Sequence, residues 1–315
     1  MTIDILLRST SPVIQAALEA EGFRLHRMAP GEAPPPAPVR EEVRVAVTTG
    51  FIGLGREVIA SLPRLELICC SGTGYENVDV RAALERGVTV THGSGLNASA
   101  VADHAMAMLL ALMRDLGGFD RALREGRWRE ALQARPIPGG KRLGLVGLGA
   151  IGERIARRAE AFEMTIAYHK RQPRADVPWR FVPTLLDLAR EADILVIAAP
   201  GGAATWHIVG REVLQALGPR GFLVNVGRGS VVDTAALVEA LAARTIQGAA
   251  LDVFEDEPHV PRALLDAPNL LLSPHVASWA PEILEASADL VRRNILRFLA
   301  GEPVLTPVPE MTAGR

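Results

Sequence analysis

Strand-like and helix-like segments alternate along almost the whole chain, and this alternation restricts the possible folds more than any other feature. Short, mostly apolar runs such as Val43–Val47 and Leu65–Cys70 have the length and composition of buried strands. Each is followed by a segment with helical spacing of apolar residues, for example Arg56–Leu62. Alternating βα units place parallel strands in one sheet with helices on both faces. The sequence therefore predicts a doubly wound α/β protein.

A long helical segment divides this alternation into two halves. It begins near Ala98 and ends near Leu116, and the apolar residues Val101, Ala105 and Leu109 recur in it at helical spacing. A second series of βα units follows this helix. Because the chain has 315 residues, it is long enough for two domains with separate cores. We therefore predict two α/β domains.

The composition argues against two classes of partner. The formal net charge is −2, and the Lys and Arg residues are spread along the chain. This distribution provides no basic patch for nucleic acid or for an anionic membrane surface. No apolar stretch approaches the ~20 residues of a membrane span, and Asp4 stands where a signal peptide carries positive charge. We expect a cytoplasmic protein without nucleic-acid or membrane partners.

The two cysteines, Cys69 and Cys70, are adjacent in an apolar run. We expect two buried, reduced thiols on a strand; a vicinal disulfide or a metal-binding pair is the alternative. So few cysteines in a chain of this length suit a reducing compartment. We predict no metal site.

A glycine fingerprint opens the second half of the chain. Gly147, Gly149 and Gly152 form a G-x-G-x-x-G pattern that follows an apolar strand and begins a helical pattern. The first glycine permits the tight turn, the second leaves room for a pyrophosphate, and the third lets helix and strand pack closely. At Ala150 and Ile151 the helix N-terminus offers N–H groups and a partial positive charge to phosphates. The segment predicts a dinucleotide site.

The end of the next strand indicates which dinucleotide is preferred. An NAD site usually has Asp or Glu there, bound to the ribose 2′-hydroxyl. This chain has His169, Lys170 and Arg171 instead. Both cations would attract a 2′-phosphate, and Arg can bind it bidentately. We predict that NADP(H) is preferred and NAD(H) is possible; a solvated basic loop is the alternative.

Candidate catalytic side chains follow three later strands. Hydride transfer from a nicotinamide dinucleotide to a carbonyl group needs a fixed cation, a proton donor, and a group that keeps the donor protonated and oriented. Arg228 lies between two glycines just past a predicted strand, where active sites of open α/β sheets occur. The acidic run Glu255–Glu257 and the Pro-preceded His275 also follow strands.

With these motifs the sequence resembles the D-isomer-specific 2-hydroxyacid dehydrogenase family. In that family an Arg in a G-R-G turn, a Glu in an E-P turn and a His in a P-H turn form the catalytic set. Here these residues are Arg228, Glu257 and His275. The resemblance implies that Arg228 binds the substrate carboxylate and carbonyl, and that His275 donates the proton in reduction. Glu257 would hydrogen-bond His275 and favour its protonated form, and Asp252 would bond the nicotinamide carboxamide.

The first half of the chain also resembles the family. In one loop the backbone N–H groups of Thr73 and Gly74 would receive the substrate carboxylate. Phe51 and Ile52 lie in a glycine-rich loop where relatives set substrate size. Trp279 departs from the family pattern after the catalytic His, and it either closes over the substrate or packs at an interface.

The resemblance implies a specific domain arrangement. A Rossmann dinucleotide-binding domain, residues 98–278, would be inserted in a flavodoxin-like substrate domain made of residues 1–97 and 279–315. The active site is then expected in the cleft between the domains, and the family expectation is a homodimer formed largely by the cofactor domains. Pro200 begins a glycine-rich segment where many relatives carry a bulkier residue beneath the adenine.

The activity implied by these residues is NADPH-dependent reduction of glyoxylate, hydroxypyruvate or a similar small 2-keto acid. A larger aromatic keto acid such as hydroxyphenylpyruvate is an alternative substrate. NAD-linked oxidation of a D-2-hydroxy acid, or of another small acid such as phosphite, is an alternative reaction. A dinucleotide-sensing binding protein is the alternative outside enzymes, because the family includes transcriptional corepressors; the sequence shows no disordered interaction tail that would favour it.

Overall fold

The computed structural model describes residues 3–9 and 11–312, which fall into two compact units. One unit comprises Met1–Asn97 and Trp279–Arg315, and the other comprises Ala98–Ser278. The strands of the described residues are β1 (Asp4–Leu7), β2 (Arg24–Arg27), β3 (Val43–Thr48), β4 (Leu67–Cys70), β5 (Thr89–Thr91), β6 (Arg142–Val146), β7 (Thr165–His169), β8 (Arg180–Phe181), β9 (Ile194–Ile197), β10 (Phe222–Asn225), β11 (Gly248–Leu251) and β12 (Leu270–Leu272).

The helices vary from one turn to five turns. Those of the described residues are α1 (Pro12–Ala20), α2 (Ala37–Arg40), α3 (Arg56–Ser61), α4 (Val80–Glu85), α5 (Ala98–Arg114), α6 (Leu116–Arg124), α7 (Ala150–Ala161), α8 (Leu185–Glu191), α9 (Arg211–Leu217), α10 (Thr234–Ala242), α11 (Arg262–Leu265) and α12 (Pro281–Leu299). Across the described part of the chain, none of them has the length and apolar character that crossing a membrane requires.

The first unit contains a five-stranded parallel sheet in the order β2-β1-β3-β4-β5. This is the flavodoxin-like order, as predicted. Alternate residues of β1 face opposite sides of the sheet: Ile5 and Leu7 pack in one cluster with Val291 of α12, whereas Leu6 packs in another with Ile59 of α3. Both faces are therefore covered, which explains why the inner strands are apolar at nearly every position.

The second unit contains a seven-stranded parallel sheet in the order β12-β11-β10-β9-β6-β7-β8. The order reverses between β6 and β9, as in a Rossmann fold, and ligands of such sheets bind outside the carboxyl ends of the strands at this switch point. The helix α5 packs against α7, and two apolar clusters cover the two faces of the sheet. The predicted class, two doubly wound parallel-sheet units, is confirmed.

Cys69 and Cys70 are buried free thiols on β4. Burial raises the pKa of the Cys69 thiol to about 12, even though a hydrogen bond with Thr91 acts in the opposite direction. Burial also raises the pKa of Cys70. Both thiols are therefore protonated at physiological pH and unreactive, as expected from the sequence.

Candidate active site

The candidate residues of the second unit lie at one edge of its sheet, where the carboxyl ends of the parallel strands meet. They are the glycine turn after β6, the basic loop after β7, Pro200 after β9, Arg228 after β10, Asp252 and Glu257 after β11, and His275 after β12. The parallel topology brings together segments that are more than a hundred residues apart in the sequence.

The three glycines of the turn after β6 serve different purposes. Gly147 has a φ of +94°, and an added Cβ would lie 2.9 Å from the backbone of Ala199. An added Cβ on Gly152 would clash with the carbonyl oxygen of Gly147. Around Gly149, in contrast, no described atom lies within 4 Å of an added Cβ, and its φ is −94°. Neither packing nor φ requires glycine at that position, whereas close approach of a ligand does.

The start of α7 fits the phosphates of a dinucleotide. Gly149 is the N-cap residue of this 12-residue helix, and no side chain caps it. The first backbone N–H groups, at Ala150 and Ile151, therefore remain available to a ligand, and the helix dipole favours negative charge there. Ala150 is exposed and Ile151 is half-buried. These residues fit the predicted cofactor.

The loop after β7 carries the cationic side chains that were predicted to favour NADP(H). Nδ1 of His169 lies 3.0 Å from the carbonyl oxygen of Val182, so this ring is held by the backbone. Lys170 is half-buried and Arg171 is exposed. Within residues 3–9 and 11–312, neither forms an ion pair. The loop can therefore offer both cations to an anionic group.

The turn that carries Arg228 is fixed by a buried amide. Asn225, the last residue of β10, is fully buried; its Oδ1 accepts from the N–H of Gly227 at 3.0 Å and its Nδ2 donates to the carbonyl of Arg228 at 3.0 Å. Added Cβ atoms on Gly227 and Gly229 would clash with the backbones of Ala199 and Phe254. Both glycines of the G-R-G motif are thus needed to pack this turn against its neighbours.

His275 and Glu257 are in direct contact. Nδ1 of His275 lies 2.7 Å from Oε2 of Glu257, and Oε1 of Glu257 accepts from the N–H of Phe254 at 2.9 Å. The His275 side chain is 41% exposed, whereas that of Glu257 is only 16% exposed. The carboxylate is therefore held inside the turn, while the other ring nitrogen of the histidine is accessible. Of the neighbouring acids, Glu255 contacts His207 instead, at 2.5 Å.

The hydrogen bond between His275 and Glu257 shifts the pKa of both groups. The hydrogen bond to Glu257 raises the pKa of His275 above its ordinary value, although burial and the charge of Arg228 act in the opposite direction. Burial by itself would raise the pKa of Glu257, but hydrogen bonds from His275 and from the N–H of Phe254 outweigh it and lower that pKa below its ordinary value. His275 therefore keeps its proton to higher pH than a free histidine, and Glu257 stays ionised. Such a histidine can protonate a developing alkoxide.

Asp252 holds the loop on which His275 lies. It is 1% exposed, its Oδ1 accepts from the Ser273 hydroxyl at 2.6 Å and from the Val276 N–H at 2.9 Å, and its Oδ2 accepts from the Ala277 N–H at 3.0 Å. Sequence analysis did not anticipate this anchoring. The predicted contact of Asp252 with the nicotinamide stays a prediction.

In the first unit, side chains orient the loop after β4. The Thr73 hydroxyl lies 2.9 Å from the carbonyl oxygen of Gly93 and 2.8 Å from Oδ1 of Asn97. The Thr73 carbonyl accepts from Nδ1 of His92 at 2.9 Å. Because C=O and the following N–H point in opposite directions in a trans peptide, this bond turns the N–H of Gly74 away from His92. One of the two N–H groups assigned to the substrate carboxylate thus has a fixed direction.

Phe51 and Ile52, which were assigned to substrate size, and Trp279, which was predicted to close over the substrate or pack at an interface, are exposed or half-buried in the first unit. The carbonyl of Phe51 accepts from Nδ2 of Asn77 at 2.8 Å, and the N–H of Ile52 donates to the Thr49 hydroxyl at 3.0 Å. The Phe51 residue is 51% exposed, and Trp279, just before α12, is 63% exposed. Their contacts with substrate stay predictions.

Sequence analysis did not predict which side chains anchor the loops of the site, and the anchoring residues share one signal. Each is a polar residue at or just after the carboxyl end of a strand. They are His92 after β5, Asn225 at the end of β10, Asp252 after β11 and Ser273 after β12. A polar side chain at the end of an apolar run could therefore have been treated as a candidate anchor of the following loop.

Comparison with known proteins identifies the family. The family model described as the NAD-binding domain of D-isomer specific 2-hydroxyacid dehydrogenases matches residues 106–277. Glyoxylate/hydroxypyruvate reductase A of Arabidopsis thaliana is 42% identical over 270 residues, covering 85% of this chain and 86% of that protein. Hydroxyphenylpyruvate reductase of Plectranthus scutellarioides is 40% identical over 269 residues, with 85% and 86% covered. The crystal structure of NADPH-dependent glyoxylate/hydroxypyruvate reductase from Sinorhizobium meliloti, in complex with NADP and malonate, superposes with a TM-score of 0.92 at 42% identity, covering 98% of each chain. The chain belongs to the D-isomer-specific 2-hydroxyacid dehydrogenase family.

Proposed function

We propose that this protein is an oxidoreductase that uses NADP(H) to reduce a small 2-keto acid, of the glyoxylate or hydroxypyruvate type, to the D-2-hydroxy acid. The observation that carries the proposal is the 2.7 Å hydrogen bond between His275 and Glu257, which leaves Nε2 of an accessible, proton-retaining imidazole for a substrate oxygen. At the same edge of the sheet Arg228 follows β10, which neighbours β11, the strand before Glu257. Relatives named glyoxylate/hydroxypyruvate reductase support the substrate class.

In this proposal the protein residues handle the charge and the proton of the reaction. A nicotinamide held by the second unit would supply the hydride for C2 of the keto acid. Arg228 and the N–H groups of Thr73 and Gly74 bind the carboxylate, and Arg228 also polarises the carbonyl. As charge develops on the carbonyl oxygen, His275 donates its Nε2 proton, so that the O–H bond forms and a neutral imidazole remains. Before that step Glu257 keeps the imidazole protonated and oriented.

The proposed cofactor preference is NADP(H), with NAD(H) as a weaker alternative. It is supported by Lys170 and Arg171 beside His169, which form no ion pair within the described residues, and by the related NADPH-dependent reductase. Pro200 would lie beneath the adenine, and Asp252 would bond the nicotinamide carboxamide. The unit Ala98–Ser278 would be the dinucleotide-binding domain and the other unit the substrate domain.

A larger aromatic keto acid is the second candidate substrate. A hydroxyphenylpyruvate reductase is among the relatives, and the exposed rings of Phe51 and Trp279 offer apolar surface to a larger side chain. Phe51 and Ile52 would set the size of the side chain that is accepted. A substrate panel distinguishes the two candidates.

We also propose that the protein is a cytoplasmic homodimer. In the second unit, large apolar side chains on and after α6 are exposed by more than half: Leu116, Leu123, Trp128 and Ile137. A second copy of the chain would bury such a patch. The reduced Cys69 and Cys70 suit the cytoplasm. Light scattering during size exclusion would give twice the chain mass if the dimer is correct.

The test of the proposed function is consumption of NADPH, and separately of NADH, by the purified protein. The panel is glyoxylate, hydroxypyruvate, pyruvate, 2-ketogluconate, phenylpyruvate and hydroxyphenylpyruvate. Turnover of a small member with NADPH preferred supports the proposal, and turnover of the aromatic members alone supports the second candidate. Turnover with NADH alone contradicts the cofactor preference. Cofactor binding without any turnover, in either direction and also with phosphite, favours a dinucleotide sensor.

A further inference from the structure

The loop formed by residues 170–176 carries Lys170 and Arg171, and Arg174 is the point at which this loop is attached to the core. The backbone N–H of Arg174 donates to the hydroxyl of Tyr168 at 2.8 Å, and the same hydroxyl donates to the Arg174 carbonyl at 3.3 Å. Tyr168 is only 1% exposed. The backbone at Arg174 is therefore held by a side chain that is buried in the core.

The guanidinium of Arg174 connects this loop to the segments that fit the phosphates. Its Nη1 lies 2.9 Å from Oε2 of Glu153, in the first turn of α7, and 3.5 Å from the carbonyl oxygen of Leu148, inside the glycine turn. Its Nε donates to Asp176 at 3.0 Å, and its Nη2 bonds the same carboxylate. One side chain thus joins the basic loop, the glycine turn and α7.

In this cluster Arg174 pairs with carboxylates of the protein, whereas Lys170 and Arg171 are available to a ligand. The hydrogen bond from Arg174, followed by that from Arg157, lowers the pKa of Glu153, and the hydrogen bond from Arg174 lowers the pKa of Asp176 to about 2. Both carboxylates are therefore ionised, and Arg174 is already matched by two anions. Lys170 also contributes, through its charge, to the lowered pKa of Asp176, but neither Lys170 nor Arg171 forms an ion pair within the described residues, so both cationic groups remain available to a ligand.

We propose that Arg174 is a positioning residue for cofactor specificity: it holds the loop so that Lys170 and Arg171 face the ribose 2′-phosphate of NADP(H), without contacting that phosphate itself. The inference rests on the NADP(H) part of the proposed function. Two long cationic side chains on an unattached loop would lose conformational freedom on binding, and a pre-formed loop avoids that loss. Arg174 thereby affects NADPH binding and leaves NADH binding nearly unchanged.

The experiment measures the Kd of NADPH and of NADH by calorimetric titration, without any keto acid. Loss of a charge-assisted hydrogen bond can change a Kd by roughly tenfold or more. Arg174→Met should therefore raise the Kd of NADPH by about that factor and the Kd of NADH by less than about twofold. The matched control is Arg157→Met. It removes the same charge and also breaks an ion pair with Glu153, but it does not touch the loop, so the ratio of the two Kd values should stay at the wild-type value.

A double-mutant cycle separates positioning from direct contact. In a Lys170→Ala/Arg171→Ala background, adding Arg174→Met should leave the Kd for NADPH unchanged, because the residues through which it acts are absent. A further NADPH-specific loss in that background would mean that Arg174 binds the phosphate itself, which overturns the inference. Equal weakening of NADPH and NADH by Arg174→Met, or no weakening of either, also overturns it.

Two additional variants keep the test decisive if Arg174→Met does not fold. Tyr168→Phe removes only the hydroxyl that anchors the loop, and it should also raise the Kd of NADPH more than the Kd of NADH. Arg174→Lys, which can pair with one carboxylate but not bridge both, should give an intermediate ratio. If Lys170→Ala/Arg171→Ala by itself leaves the ratio unchanged, the NADP(H) proposal has failed; if that variant changes the ratio and Arg174→Met does not, only the positioning inference has failed.

Discussion

At the scale of single residues, local hydrogen bonds determine both the direction and the protonation of the proposed proton donor. His275 has a φ of +52°, in the left-handed region, which for a non-glycine residue costs on the order of 1–3 kcal/mol. Its N–H donates to the Asp252 carbonyl at 2.8 Å, and its ring contacts Glu257. The surrounding loop thus holds a strained residue so that its imidazole meets the carboxylate.

Substitution of Glu257 tests the protonation of His275. Reduction needs the imidazolium, so activity fades as the pH rises through the raised pKa of His275. Glu257→Gln removes the main cause of that raised pKa. We therefore expect kcat/KM of this variant to fall at a lower pH than kcat/KM of the wild-type protein. The matched control is Glu255→Gln, because Glu255 contacts His207 rather than His275. An unchanged pH profile for Glu257→Gln would show that another group keeps the donor protonated.

Substitution of His275 tests the proton transfer itself. Because a positioned acid typically contributes 10²–10⁴-fold, His275→Ala should lower kcat by about that factor. The Kd of NADPH should remain at the wild-type value, since His275 is assigned no cofactor contact. His259→Ala, at another exposed histidine, should leave both quantities unchanged. A variant that keeps full turnover would exclude His275 as the acid.

Sequence motifs predicted which side chains carry charge at the site, but not what holds them. Glu257 was preferred among three neighbouring acids because it precedes proline, and it is the one that contacts His275. Their positions just after strands mark Asp252 and Ser273 as candidate anchors of the same loop, but the hydrogen bond between them could not be predicted. Which polar atoms meet there depends on the packing of strand ends that are distant in sequence, and no local pattern encodes that packing.

At the scale of secondary-structure elements, the parallel sheet of the second unit determines which loops become neighbours. The inner strands were predicted because they are apolar runs covered on both faces. The edge strand β2 was missed, because Arg24–Arg27 contains two arginines and a histidine and is only half-buried. Helix α2 is a single turn that begins within a proline-rich segment, whose composition favours an extended loop. Both elements depend on tertiary contacts more than on local preference.

The glycine turn gives a prediction at this scale. Gly149→Ala should raise the Kd of NADPH and NADH by roughly tenfold or more, because a methyl group would enter the space that the pyrophosphate needs. The free energy of unfolding should fall by less than about 1 kcal/mol, because only the N-cap preference changes. Gly152→Ala is the contrasting variant: its Cβ meets the Gly147 carbonyl, so it should destabilise the fold itself by about 1–3 kcal/mol.

Urea denaturation of both apo variants and cofactor titration separate these effects. A Gly149→Ala protein that binds both cofactors with wild-type affinity would show that this turn does not approach the pyrophosphate. A Gly152→Ala protein as stable as wild type would contradict the packing argument.

At the scale of the whole molecule, the chain combines a flavodoxin-like unit and a Rossmann unit, each with its own sheet and its own apolar clusters. The sequence predicted both units because βα alternation and helical periodicity are local patterns. Substrate identity is not encoded in such patterns. It depends on the surface around a few exposed side chains, such as Phe51 and Trp279, and relatives that cover most of this chain are named for both small and aromatic keto acids.

The central claim is that this protein transfers hydride from NADPH to a small 2-keto acid with D stereochemistry. The most direct measurement is to incubate the wild-type protein with hydroxypyruvate and NADPH, follow the loss of NADPH absorbance, and determine the chirality of the glycerate formed. We predict D-glycerate in an amount equal to the NADPH consumed, and much slower formation with NADH. Formation of L-glycerate or a racemate, or no product although NADPH binds, would contradict the claim.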